Sequence, residues 1–130
     1  VARLVENIGL NAIILHEMPN AGKTIIEKFE ELSNVGFAVI LLTPDDIGTT
    51  KEENDAFKPR ARQNVIFEMG YFVGKLGRHR VCAIYQNGVE LPTDYHGVLY
   101  IKYDDSGLWK IMLAKEIKHA GFDIDLNRIV

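Results

Sequence analysis

Phe37-Ala38-Val39-Ile40-Leu41-Leu42 is the stretch on which the fold turns. It is apolar at every position, bounded by Gly36 and by Thr43-Pro44, and too short for an ordinary helix. A strand with one wet face would alternate, so an unbroken apolar run predicts a central parallel strand covered on both sides. Outward from it, strand-like and helix-like segments take turns. Upstream, Ala12-Ile13-Ile14-Leu15 reads as another strand, and Thr24-Ile25-Ile26-Glu27 is a capping box that opens a helix. That helix buries Ile25, Ile26, Phe29 and Leu32 and stops near Asn34-Val35-Gly36. Downstream, a polar loop over residues 43–61 leads to a helix over 62–76 and a strand over 80–85. A turn-rich stretch to Gly97 and a strand over 98–103 follow. The last helix, over 108–120, carries its apolar side on Leu108, Trp109, Met112, Leu113 and Ile117, and Gly121 ends it. Strands alternating with helices over short connections predict a doubly wound α/β domain with a mostly parallel sheet.

The first residues fit that pattern as the end of an element. Val1, Leu4, Val5 and Ile8 recur at helical spacing and Gly9 follows as a stop, with no capping residue ahead of Val1. The expectation is a single domain over 1–130 whose first strand and its loop lie upstream of the given chain. No internal repeat and no second domain are visible.

Composition narrows the class. The chain is 47% hydrophobic and 25% charged, ordinary for a globular domain of 130 residues. A net charge of −3 argues against a nucleic-acid partner held by bulk electrostatics. The single cysteine, Cys82, sits inside Val81-Cys82-Ala83-Ile84-Tyr85 and reads as core filling in a reducing compartment. No apolar stretch approaches a membrane span, so a cytoplasmic domain is expected.

Ligands of doubly wound sheets bind outside the carboxyl ends of the strands, which here means the loops after Leu15, Leu42 and Tyr85. One residue is placed as if for chemistry there. In the helix over 62–76, Val65, Met69, Phe72 and Leu76 form an apolar stripe, and Glu68 lies between Val65 and Phe72 on the same side. For a glutamate at an arbitrary helix position a solvated or structurally paired role is the rule. Glu68 departs from it by location, in the first half of a helix fed by the long loop at the strand edge. Gly70 and Gly74 read as positions of close helix packing.

Other features weigh less. Asn20-Ala21-Gly22-Lys23-Thr24 ends like a phosphate-binding loop, but the pattern needs glycine where this chain has Glu17, so Thr24 as a helix cap suffices. Asp45 and Asp46 could hold a cation or a ribose, although adjacent loop acids are usually solvated. Arg60 and Arg62 flank the start of the Glu68 helix and could bind a diphosphate or face water. His16, His79, His96 and His119 have no metal-ligand spacing, and no nucleophile elbow is present.

Several ordered blocks carry a resemblance: Leu15-His16-Glu17 with Gly22-Lys23-Thr24-Ile25-Ile26-Glu27-Lys28-Phe29-Glu30, then Val39-Ile40-Leu41-Leu42-Thr43-Pro44-Asp45-Asp46. Arg60-Ala61-Arg62-Gln63-Asn64-Val65-Ile66-Phe67-Glu68-Met69-Gly70-Tyr71-Phe72 and Gly97-Val98-Leu99-Tyr100-Ile101 complete them. Through these blocks the chain resembles a bacterial TIR-like domain, of the predicted nucleotide-binding group that serves as effectors in CBASS, Pycsar and TIR–STING antiphage systems. The resemblance implies a flavodoxin-like three-layer fold and cleavage of NAD+ at the nicotinamide–ribose bond, with NAD+ as substrate and no cofactor. The family's catalytic glutamate falls on Glu68, and Asp45, Arg62 and Asp94 become candidate substrate-binding residues. Leu91-Pro92-Thr93-Asp94 resembles a second pocket loop. The segment from Glu17 to Lys23 corresponds to the loop through which such domains self-associate, and a fused or upstream cyclic-nucleotide sensor is implied as partner. The family's opening strand and substrate-facing loop have no counterpart in this chain.

One carboxylate suits that chemistry. Glycosidases ordinarily use two acids, one of them to protonate a poor leaving group. Nicotinamide leaves NAD+ as a neutral molecule, so only the developing oxocarbenium charge needs stabilising. Two other readings stand beside this one. One is a non-catalytic TIR module that only oligomerises. The other is a nucleoside deoxyribosyltransferase-like enzyme, which shares the fold and uses a helix glutamate as nucleophile.

Overall fold

The computed structural model describes residues 1–15, 22, 27–28, 30, 35–44, 46–48, 58–60, 63–91 and 97–129. Among them run helix α1 (Ala2–Asn7), strand β1 (Ala38–Leu42), the short pair β2 (Asp46–Gly48) and β3 (Lys58–Arg60), helix α2 (Gln63–Leu76), strands β4 (Val81–Tyr85) and β5 (Leu99–Lys102), and helix α3 (Leu108–His119). Glu27, Lys28 and Glu30 are helical, within the segment that the capping box at Thr24 announces. Helix α1 ends at Asn7 with Ile8 as its C-cap, and Gly9 takes φ +98°, the left-handed stop expected of it.

The main sheet has the order β1-β4-β5 with every pairing parallel. Ala38 pairs with Val81 and Leu42 with Tyr85 on one side, and Cys82 with Leu99 and Tyr85 with Lys102 on the other. Two cores flank it. Ala38, Ile40, Leu42, Val81 and Ala83 pack with Met69 and Phe72 of α2 on one face. Cys82, Ile84 and Ile101 pack with Leu4 and Ile8, and with Trp109, Leu113, Ala114 and Ile117 of α3, on the other. The result is the expected three-layer α/β arrangement.

Four expectations are corrected. Residues 12–14 form no strand, and Leu15 lies in a 3-10 turn. An apolar tetrapeptide becomes a strand only where a neighbour takes its backbone hydrogen bonds, and none lies beside it among the described residues; Ile13 and Ile14 stay exposed. For the same reason β1 is an edge strand of the described sheet rather than its centre, and Leu41 is 47% exposed. The doubly covered strand is β4, where Val81 through Ile84 are all buried. The loop over 43–61 contains an antiparallel pair, with Ile47 opposite Pro59. Proline donates no backbone hydrogen bond, which suits an isolated two-stranded arm and hides the strand from a sequence reading. Finally, Gly74 is exposed and a methyl group there would touch nothing, so it serves no close packing.

Candidate functional site

Because β1 and β4 are parallel, α2 must run back against them, and its first turns lie at the carboxyl edge of the sheet. Glu68 is in that half of the helix. Met69 beside it is fully buried, and Val65 and Phe72 on the same stripe pack into the α2 core. The stripe therefore carries Glu68 inward with it. At 6% exposure it is the one charged side chain buried among the described residues. Its Oε1 atom is enclosed by protein and accepts no hydrogen bond, while the residue keeps an interaction elsewhere. Enclosing a carboxylate is costly, so a sequence optimised only for packing would place an apolar residue there.

The carboxyl edge also holds a depression of about 430 Å³ beyond the ends of β4 and β5. Gln86, Asn87, Lys102, Tyr103, Asp104 and Asp105 line it, and Glu68 does not. Lys102 ends β5 and Tyr103, Asp104 and Asp105 follow it, in a loop omitted from the sequence-based definition of the ligand edge. The signal was present, since the strand over 98–103 delivers Tyr103 to that edge. Asp104 is occupied structurally. It accepts hydrogen bonds from the Ser106 hydroxyl, from Trp109 N at 2.9 Å and from Leu108 N at 3.2 Å, and so closes the first turn of α3. The Ser106 contact, then the backbone amides, hold its carboxyl below the usual carboxylate range. Tyr103 stacks on Trp109 with ring centroids 5.2 Å apart.

Asp45, Arg62 and Asp94 lie outside the described residues, as does the segment from Glu17 to Lys23 except Gly22. Cys82 is buried in β4, where burial first and the nearby Glu116 carboxylate second push its thiol up to about 12. It is core filling. Among the described residues no group of His, Cys, Asp and Glu could hold a metal ion, and no helix is long and apolar enough to cross a membrane.

Residues 1–105 match the family model of the CAP12/Pycsar effector protein TIR domain. The chain belongs to this family. Relatives of the TIR domain include the uncharacterized protein YuaY of Escherichia coli (strain K12), 46% identical over 129 residues, which cover 98% of this chain and 43% of that protein. The Pycsar effector protein PaPycTIR of Pseudomonas aeruginosa is 42% identical over 86 residues, covering 64% of this chain and 27% of that protein. The CD-NTase-associated protein 12 of Flavobacterium daejeonense is 35% identical over 75 residues, covering 58% and 23%. The chain thus spans less than half the length of each of these relatives.

Proposed function

We propose that this TIR domain is an NAD+ nucleosidase, with Glu68 as its catalytic carboxylate, and that it serves as the effector part of an antiphage system. The observation that carries the reading is Glu68 itself, a carboxylate buried on the apolar side of α2 in the half that lies at the carboxyl edge. In its ionised form it stabilises the positive charge that grows at the anomeric carbon of the ribose. The C–N glycosidic bond breaks and its electron pair goes to nicotinamide, which leaves neutral. A water oxygen then bonds to the anomeric carbon and gives its proton to solvent, yielding ADP-ribose. Asp45 and Arg62, which flank β2 and α2 in the chain, are proposed to hold ribose and diphosphate, and Asp94 to complete the pocket.

Relatives named as Pycsar effectors and as a CD-NTase-associated protein support the defence role and a cyclic-nucleotide sensor as the controlling partner. We propose further that the segment from Glu17 to Lys23 contacts a neighbouring copy and that assembly switches the enzyme on. Incubating concentrated protein with NAD+ in one arm and with deoxynucleosides in the other tests the substrate class. Nicotinamide release confined to the first arm is expected. Base exchange on deoxynucleosides without NAD+ loss overturns the reading in favour of a deoxyribosyltransferase. Ala21→Arg should abolish NAD+ loss and assembly together while the melting temperature holds.

A further inference from the structure

The depression beyond β4 and β5 has no part in the chemistry proposed for Glu68, which does not line it. At about 430 Å³ it falls within the roughly 300–1,000 Å³ of small-molecule sites. The sheet fixes its frame. Gln86 N donates to the Leu42 carbonyl at 3.1 Å and Tyr103 N to the Tyr85 carbonyl at 2.8 Å, so the ladder runs one residue past β4 and β5. Buried Trp109 backs the Tyr103 ring at 5.2 Å between centroids, yet Tyr103 stays 48% exposed. An aromatic ring is therefore held in place with surface to spare. Among the described residues, no hydrogen bond or ion pair engages the side chains of Gln86, Asn87, Lys102 or Asp105, whereas Asp104 is committed to α3.

We propose that this depression binds a neutral ribonucleoside. The base stacks on Tyr103, the ribose 2′- and 3′-hydroxyls donate to the Asp105 carboxylate, and the Gln86 and Asn87 amides, which both donate and accept, meet the base edge. Charge selects a neutral ligand. Lys102 offsets one of the two carboxylates, Asp104 and Asp105, which leaves the rim net negative and hostile to phosphate. A divalent cation would find only one uncommitted carboxylate, and among the described residues no group of metal ligands is present. A simple sugar shares the diol but lacks the flat face that Tyr103 stacks against. The site does not depend on the NAD+ reading.

Adenosine titrated into the chain should change tryptophan fluorescence saturably, because Trp109 is the single tryptophan and stacks on Tyr103. 2′-Deoxyadenosine should bind about tenfold more weakly, having lost a hydrogen bond to a carboxylate. Asp105→Asn should largely erase that preference with the melting temperature unchanged, a readout that a merely structural aspartate would not move. Tyr103→Leu should weaken adenosine about tenfold, whereas Tyr103→Phe, which keeps the ring and its stack, should not. Adenosine affinity should be the same at low and high salt, and AMP should bind more weakly than adenosine. Four results would each overturn the proposal: no saturable response of Trp109, a preference over deoxyadenosine that survives Asp105→Asn, AMP binding that is tighter than adenosine and weakens with salt, or glucose binding as well as adenosine does.

Discussion

The two edges of the sheet are built differently. At the amino edge, polar groups are tied to backbone and rings. Arg80 donates to the Gly36 carbonyl at 2.9 Å and lies 5.8 Å above the Phe122 ring, which meets Phe37 edge-on at 6.4 Å. A methyl group on Gly36 would come within 2.7 Å of that ring. Gly97, at φ +87°, has Arg78 packed where a Cβ would sit, at 2.6 Å. At the carboxyl edge lie the enclosed Glu68 carboxylate, a depression lined by polar groups and the outward apolar start of α3. The contrast lies in what each edge leaves open: the amino edge is stitched over, while the carboxyl edge leaves a depression rimmed by polar groups, on the side of a doubly wound sheet where ligands bind.

Breaking the stitching should destabilise the domain without touching chemistry. Arg80→Ala removes a charge-assisted hydrogen bond and a cation–π contact, a loss of about 2–3 kcal/mol. Chemical denaturation should read that loss, with activity per folded molecule unchanged; a selective loss of activity would blur the distinction between the edges. Gly97→Ala should cost about 1–2 kcal/mol, because alanine resists a positive φ and Arg78 must move aside.

The carboxyl edge should behave otherwise. Asn87→Ala should shift stability by less than about 0.5 kcal/mol, since it lies exposed in the depression. Asp104→Ala should lower the melting temperature at neutral pH by exposing the first turn of α3. The folded-state carboxyl titrates below its ordinary value, so its contribution is present above about pH 4 and fades as pH falls through the lowered value. Melting curves of the two proteins should therefore converge in strong acid; a gap that persists there contradicts the capping role. One change is a gain. Gly74→Ala should stabilise α2 by about 0.5–1 kcal/mol, as a methyl group there meets open space.

Much of this architecture was legible in the residues. β4, β5 and both ends of α3 follow from apolar runs and glycine stops, and Glu68 stood out because it interrupts an apolar stripe. What escaped the sequence was relational. Whether Ala12-Ile13-Ile14-Leu15 pairs, and whether β1 is central or marginal, depends on a neighbour that local pattern does not encode. The hairpin of β2 and β3 hid behind Pro59. In α3, apolar residues occur on both sides, and only contact with the sheet decides that Trp109, Leu113 and Ile117 face inward while Leu108 and Met112 face out. Asp45, Arg62 and Asp94 rest on their place in the sequence alone.

The central claim is that the carboxylate at residue 68 carries NAD+ cleavage. Glu68→Gln keeps the volume of the side chain and removes its charge. Nicotinamide release by wild type and Glu68→Gln should be followed at rising protein concentration, with melting temperature recorded on the same samples. Release should climb with wild-type concentration and be lower by roughly a hundredfold or more in a variant that still folds. Equal release from the two folded proteins would contradict the claim.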